Sequence, residues 1–304
     1  MVKEKSVHYY IISLLLMIWT TACDSKSSQG GEQANYENEI EFELIEFEEK
    51  YYLENKEDYP SCNLSIKILY PVSSNKYELG NIHKQFTSSI IGVDLDGLSL
   101  EEAIEKYSKN YIENYRRDAN VYRVNRPKVS NESNYYDDVY YEDNEHSNTP
   151  DIFYSYFESI TDTIAYNSNG ILSYQVKQTN NKGGNISHEN IRSYVIDLES
   201  GELLSEGDIF TAGYDVALRT MIQNGLMSQQ DVKSIEDLED LGYFGIDEII
   251  PNNNFLLTSE GIIYTYNKGE YSAYQLSASH ILIPYSHIRS ILKEGSIADK
   301  LSKL

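Results

Sequence analysis

Short runs in which apolar and polar residues alternate recur along this chain and restrict it to a fold built largely on β-strands. The first run, EIEFELIEF, begins at Glu39 and has the period of two that is typical of a half-buried strand. A second run, NLSIKILYPV, puts Leu64, Ile66 and Ile68 on one face. Pro71 either ends this second strand or restricts it to a sheet edge.

Strand patterns also dominate the chain after Asp151. The run DIFYSYFESITDTIAYNSNGILSYQVKQTNN predicts two or three strands that turn at NSNG, and a further hairpin turn is expected at Ser200–Gly201. Near the C-terminus, Asn254–Tyr266 and His280–Tyr285 predict two neighbouring strands, with Glu260 in a turn. A helical segment is expected to follow Pro284.

Two longer segments have helical patterns. In DGLSLEEAIEKYSKNYIENYRRDA, Ser99 and Glu102 form a capping box in front of an apolar stripe. The segment GDIFTAGYDVALRTMIQNGLMS predicts a second helix, whose apolar face comprises Val216, Leu218, Met221, Ile222 and Leu226. Strands and helices do not alternate strictly, so the pattern predicts an α+β fold, an antiparallel sheet flanked by a few helices, rather than a doubly wound sheet.

The first 22 residues have the features of a secretory signal. Two lysines precede an apolar run that is too short to span a bilayer, for which about 20 apolar residues are needed. Small residues then lead to Cys23, and a Cys at this point resembles the bacterial lipobox, in which the thiol is lipidated. The alternative is an ordinary signal peptide with a chance cysteine. Residues 23–40 are polar and predict a flexible tether.

The charge of the chain limits its partners. Its 304 residues have a formal net charge of -23 at pH 7. A surface this negative repels phosphates, which argues against nucleic-acid binding, and it attracts basic proteins. The alternative interpretation of this charge is that it keeps the protein soluble. Residues 131–151 are acidic and rich in tyrosine, which predicts either an exposed loop or a binding loop.

No catalytic or metal-binding motif stands out in the sequence. His280 and His287 flank ILIPYS, but neither has the spacing of a zinc site, and no nucleophile elbow or P-loop occurs. With 48 acidic residues, a pair of carboxylates for glycoside hydrolysis cannot be singled out. If Cys23 is lipidated, Cys62 has no disulfide partner. We therefore expect no catalytic activity, no cofactor and no metal.

Several segments together resemble a known domain family. They are a Gly-Gly turn, a strand ending in Asp-x-x-x-Gly, a short helix start, the run NFLLTSEGIIYTY, a Tyr- and Glu-bearing loop, and ILIPY. In this chain they fall at Gly183–Gly184, Asp197–Gly201, Asp208–Phe210, Asn254–Tyr266, Glu270–Tyr274 and Ile281–Tyr285. The pattern resembles a bacterial extracytoplasmic domain of unknown function, which occurs in the RsiV anti-sigma factor and beside the catalytic domain of the peptidoglycan deacetylase PdaC.

The resemblance implies a domain organisation. Residues 176–304 resemble the RsiV-type domain, and residues 41–175 resemble the companion domain that usually precedes it, with SIKILYPVSSNKYELGNIHKQFTSSI as the matching run. The two are expected to form intimately associated α+β subdomains.

The resemblance also implies a binding function in the cell envelope. In RsiV the domain binds lysozyme, so a basic protein is the first ligand to consider, and peptidoglycan or another glycan is the alternative. A cell-wall-modifying enzyme is a third and weaker reading. The best candidates for ligand contact are Glu270, Tyr271 and Tyr274, because exposed aromatic and acidic side chains suit a basic or sugar surface.

Overall fold

The structure of the chain is a computed structural model that describes four stretches, residues 38–92, 97–120, 154–183 and 186–304. The predicted features that lie outside them are the signal peptide 1–22, the lipidation residue Cys23, nearly all of the tether 23–40, and the whole tyrosine-rich segment 131–151. None of the helices in the four described stretches is both long enough and apolar enough to cross a bilayer.

The larger sheet has six strands, which lie side by side in the order in which the chain forms them. These strands are β1 Ile40–Tyr52, β2 Ser61–Ser74, β3 Tyr156–Ser168, β4 Ile171–Lys182, β5 His188–Asp197 and β6 Glu202–Leu203. Neighbours are antiparallel except β2 and β3, which run parallel. Parallel strands need a crossover connection, and two helices lie in the connection between β2 and β3.

The smaller sheet has three antiparallel strands, β7 Phe255–Leu257, β8 Gly261–Tyr266 and β9 Ser279–Pro284. The predicted run Asn254–Tyr266 is therefore a hairpin of two strands, with Glu260 in its turn as expected. The backbone N–H of Tyr285 donates to the carbonyl of Glu260 at 3.2 Å, which ties the end of β9 to this turn.

Seven helices occur in the described stretches: α1 Leu79–Ile91, α2 Leu100–Asp118, α3 Glu206–Ile209, α4 Asp215–Gln229, α5 Ile235–Asp240, α6 Tyr285–Ile288 and α7 Ile297–Leu301. The capping box of Ser99 and Glu102 at the start of α2 is confirmed. In α4, Leu218, Ile222 and Leu226 are buried, but Val216 is 73% exposed. The prediction for Val216 was wrong because it lies two residues, or about 200° of helical turn, before Leu218.

Strands β4 and β5 are buried on both faces. On one face, Leu172, Tyr174 and Ile196 pack with α1 and α2, and on the other, Ile171 and Val195 pack with the smaller sheet and α4. These contacts confirm the predicted α+β class, with the two sheets packed through β4 and β5. The predicted boundary between residues 175 and 176 falls inside β4, and the division into two subdomains stays a prediction.

Two asparagine side chains join the smaller sheet to the edge of β5. The short strand β6 pairs only with the end of β5, so the backbone near Ile191 and Ser193 needs other partners. Asn267 accepts from the Ile191 N–H at 2.6 Å, and Asn254 accepts from the Ser193 N–H at 2.7 Å. Both amides also donate to the Ile191 carbonyl. These hydrogen bonds fix the position at which the chain leaves β8.

The carboxyl group of Asp162 lies where β2 and β3 stop pairing. Its Oδ1 accepts from the Leu69 N–H at 2.8 Å, while its buried Oδ2 has no hydrogen-bond partner among the described residues. Loss of hydration through burial raises the pKa of Asp162 from 3.8 to about 6. The folded state therefore binds this proton more tightly than the unfolded state does, and ionisation of Asp162 destabilises the fold.

Replacing Asp162 with Asn is expected to remove this pH-dependent penalty. The penalty is absent below pH 3.8, grows as the pH rises, and is complete above about pH 6. It amounts to at most about 3 kcal/mol. The free energy of unfolding of Asp162→Asn, relative to the wild type, should therefore increase between pH 4 and pH 7. Urea unfolding at both pH values measures it, and an unchanged difference would show that Asp162 ionises freely.

Candidate functional site

The predicted contact residues lie in the loop between β8 and β9. This loop begins at buried Asn267, and Glu270 closes a tight turn with it. A carboxylate oxygen of Glu270 accepts from the Asn267 N–H at 3.0 Å, and the Glu270 N–H donates to the Asn267 carbonyl at 2.9 Å. Glu270 is exposed, so its carboxylate both shapes the turn and faces solvent.

Tyr271 anchors the loop rather than projecting from it. Its backbone has a φ of 57°, a left-handed conformation that is uncommon for residues other than glycine. Its half-buried ring packs edge-on against Tyr266 with ring centroids 5.7 Å apart. The hydroxyl of Tyr266 donates in turn to the Ile250 carbonyl at 2.7 Å. Tyr271 therefore positions the neighbouring residues for contact.

Tyr274 is the aromatic side chain that the loop presents to solvent. It is 75% exposed, and its ring lies against Gly269. A Cβ atom added to Gly269 would stand 2.7 Å from Cζ of Tyr274, and the φ of Gly269 is 80°. Glycine at this position therefore lets the ring lie flat on the backbone, which holds an exposed aromatic in one place.

A second loop pairs with this one through backbone hydrogen bonds. The Phe244 N–H donates to the Tyr271 carbonyl at 3.0 Å, and the Ala273 N–H donates to the Gly242 carbonyl at 2.8 Å. Between them, Tyr243 forms a β-bridge with Ser272. Residues 241–245 and 267–276 together are called the paired-loop face below.

The second loop adds two exposed apolar side chains that the sequence analysis missed. Leu241 is 45% exposed and Phe244 is 56% exposed, whereas Tyr243 between them is buried. A signal for them exists in the motif LGYFG, because Gly242 and Gly245 both have positive φ values and bracket an aromatic pair. Such a turn directs one ring inward and the other outward. The motif does not predict that loop 241–245 pairs with loop 267–276.

Acidic side chains flank loop 241–245 on both sides. Helix α5 ends directly before this loop, and a 3-10 turn, Ile246–Glu248, follows it. The exposed carboxylates of these two segments are Glu236, Asp237, Glu239, Asp240, Asp247 and Glu248. An exposed apolar centre bordered by carboxylates is suited to a protein surface that carries lysines and arginines.

The two histidines that flank ILIPYS are not part of the paired-loop face. His280 is on β9, where its Nδ1 lies 3.0 Å from the Thr265 hydroxyl, and burial lowers the pKa of its ring. His280 and His287 both line a groove between α4 and β9. Among the residues that the structure describes, no three His, Cys, Asp or Glu side chains are placed to hold a metal ion.

Cys62 is a buried free thiol on β2. Burial raises its pKa to about 12, so the thiol stays protonated at neutral pH. A protonated, buried cysteine is a poor nucleophile, and Cys62 packs with Leu53, Tyr115 and Ala119. Its place in the fold is structural.

Glu206 is a buried carboxylate that the sequence analysis also missed. One oxygen accepts from the Tyr264 hydroxyl at 3.1 Å and from the Asn253 N–H at 2.8 Å, and the other accepts from the Tyr214 hydroxyl at 2.8 Å. Loss of hydration, reinforced by this carboxylate, raises the pKa of Tyr264 well above its usual value. The tyrosines therefore remain hydrogen-bond donors, and the network joins α3, the residue directly before α4, and β8.

The part of the chain that contains the paired-loop face matches a known protein family. Residues 207–286 match the family described as Protein of unknown function (DUF3298), and this segment contains both loops of the paired-loop face. The predicted match of the C-terminal region to a domain family of unknown function is thus confirmed for these residues. A comparison with curated proteins gave no match.

Two solved structures share the architecture. A DUF3298 family member from Bacteroides fragilis NCTC 9343 has a TM-score of 0.75 at 25% sequence identity, and the match covers 88% of this chain and 100% of that one. A DUF3298 family protein from Pseudomonas aeruginosa PAO1 has a TM-score of 0.55 at 10% identity, covering 84% and 96%. The second likeness concerns the fold alone.

Proposed function

We propose that this chain is a non-catalytic protein of the bacterial cell envelope, and that its paired-loop face binds a basic protein such as lysozyme. The observation that carries the proposal is the arrangement of exposed Leu241, Phe244 and Tyr274 beside the carboxylates of α5 and the following turn. A partner would bury the apolar centre, and the surrounding carboxylates would pair with its cations.

The fixed geometry of the face supports binding without a large ordering cost. Tyr274 lies on Gly269, and Phe244 is tied to Tyr271 through a backbone hydrogen bond, so both loops are held before a partner arrives. Pre-organised aromatic side chains lose little conformational freedom on association. The formal net charge of -23 adds long-range attraction for a basic partner.

The signal-like N-terminus supports the location. A lipid on Cys23 and the polar residues 23–40 would hold the binding domain near a membrane surface. Resemblance to the lysozyme-binding RsiV domain favours lysozyme among basic proteins. Both loops of the paired-loop face lie within residues 207–286, the part of the chain that matches the DUF3298 family.

Titration of the full chain with lysozyme is the test of this function. We expect binding that weakens at least about tenfold between about 0.01 M and about 0.15 M ionic strength, because the screening length falls from about 30 Å to about 8 Å. Phe244→Ala and Tyr274→Ala should each weaken binding by about tenfold or more, as buried aromatic contacts at interface centres do. Isothermal titration calorimetry measures both effects.

Val216→Ala is the matched control for the two aromatic variants. Val216 is 73% exposed and Tyr274 is 75% exposed, so the two side chains are equally accessible. Val216, however, lies on α4, outside the paired-loop face. Its substitution should leave lysozyme binding unchanged. No binding at the lower ionic strength, or equal losses in all three variants, would refute the proposal for this face.

A further inference from the structure

A tyrosine-lined cleft lies between helix α2 and strands β3 and β4, and it is separate from the paired-loop face. Its volume is about 360 Å³. The strands supply two cross-strand pairs on its floor, Tyr156 with Lys182 and Glu158 with Asn180. The residues of α2 that line it are Tyr107, Asn110, Tyr111, Asn114, Tyr115 and Asp118.

The lining of this cleft is more polar than the neighbouring part of the helix–sheet core. Early in α2, Leu100, Ala103 and Ile104 are buried and pack in the core between helix and sheet. Further along the same side of the helix, tyrosine and asparagine replace these apolar residues. The rings of Tyr107, Tyr111 and Tyr115 pack against the apolar core, so packing accounts for them. Asn110 and Asn114 are exposed where they line the cleft, and apolar packing does not account for these amides.

Hydrogen bonds hold several cleft side chains in position. The Tyr107 hydroxyl and the Gln178 amide both donate to Oε1 of buried Glu158, the latter at 2.8 Å. The Tyr156 hydroxyl donates to Asp118 at 3.1 Å. Burial also raises the pKa of Tyr107, so its hydroxyl remains a donor. The site is therefore formed before any ligand enters.

Other polar groups of the cleft are available to a ligand. Within the described stretches, the side-chain amides of Asn110 and Asn180 make no hydrogen bond, and the Lys182 ammonium makes no ion pair. Amides offer donors and an acceptor in one plane, which matches pairs of neighbouring hydroxyl groups. The faces of the tyrosine rings beside them are apolar, and they suit the C–H face of a sugar ring.

From this geometry we propose that the cleft is a saccharide-binding site, which takes one or two neutral sugar units. Its volume is at the lower end of the range for small-molecule sites, about 300 to 1,000 Å³. The two carboxylates of Glu158 and Asp118 outnumber the one ammonium group of Lys182, and this balance disfavours phosphorylated or other anionic ligands. The proposal does not depend on protein binding at the paired-loop face, since the two sites share no residue.

Titration of the full chain with β-1,4-linked disaccharides of glucose and of N-acetylglucosamine tests this site. We expect at least one of them to bind, and their comparison shows whether an acetamido group contributes. Asn110→Ala and Asn180→Ala should each weaken binding about fivefold, the loss expected for one hydrogen bond. Asn110 is exposed on a helix and alanine favours helices, so Asn110→Ala should remain folded.

Lys109→Ala and Thr179→Ala are the matched controls, because they neighbour the two asparagines but do not line the cleft. They should bind the disaccharide as the wild type does. Absence of binding by both disaccharides, or wild-type affinity in both asparagine variants, would overturn the proposal. Asn110→Ala and Asn180→Ala should also leave lysozyme binding unchanged, so failure of one proposed site is distinguishable from failure of the other.

Discussion

Replacing Gly261 with alanine is expected to reduce the free energy of unfolding by about 3 kcal/mol or more, and Tm by about 6 to 12 °C. Gly261 begins β8 opposite Pro284 on β9. An added Cβ would stand 2.2 Å from the Ile283 carbonyl oxygen and 2.8 Å from Cα of Pro284. Both atoms belong to the backbone, so relief requires β8 and β9 to separate.

The change at Gly261 also has a functional consequence. Strands β8 and β9 flank loop 267–276 of the paired-loop face, and the hydrogen bonds of Asn267 fix the end of β8 against β5. Separation of the strands should therefore weaken lysozyme binding as well as stability. Urea unfolding followed by circular dichroism measures the first effect, and titration of the remaining folded protein measures the second.

Gly80→Ala is the control for this substitution. Gly80 lies in α1, and a Cβ atom there meets nothing within 4 Å. Alanine in a helix is more favourable than glycine by about 0.5 to 1 kcal/mol, so this variant should be slightly more stable than the wild type. A Gly261→Ala protein as stable as Gly80→Ala would mean that β8 and β9 are not as close as described.

The strands could be predicted from sequence because their apolar residues alternate regardless of tertiary context. EIEFELIEF, NLSIKILYPV and the NSNG turn correspond to β1, β2 and the hairpin between β3 and β4. The parallel pairing of β2 with β3 could not be predicted, since it depends on the path of the chain through α1 and α2. Val216 was wrongly assigned to the buried face of α4, because the apolar character of a residue does not show which side of the helix it lies on.

Only one of the two loops of the candidate site could be predicted from the sequence. Glu270, Tyr271 and Tyr274 stand in one loop, and their types suggested ligand contact, with the ring of Tyr271 packed against Tyr266. Leu241 and Phe244 join them through backbone hydrogen bonds between loops that are distant in sequence. Backbone pairing of irregular loops leaves no periodic pattern. The Glu206 network is hidden in the same way, because a buried carboxylate has no sequence signature among so many acidic residues.

Replacing Glu206 with alanine is expected to reduce the free energy of unfolding by about 3 to 5 kcal/mol. Glu206 is 7% exposed and accepts hydrogen bonds from Tyr264, Tyr214 and the backbone of Asn253. Removal of the carboxylate leaves these donors without their acceptor, and the Tyr264 hydroxyl is buried where water cannot replace it. Urea unfolding measures the loss.

Companion variants separate the hydrogen bonds from the volume of the side chain. Glu206→Gln keeps the shape and one acceptor, so its loss should be smaller than that of Glu206→Ala. Glu202→Ala is the matched control, because Glu202 is an exposed carboxylate whose bond to Gln85 lies at the surface, and it should cost less than about 1 kcal/mol. If Glu206→Ala and Glu202→Ala reduce the free energy of unfolding equally, the buried carboxylate does not hold α3, the start of α4 and β8 together.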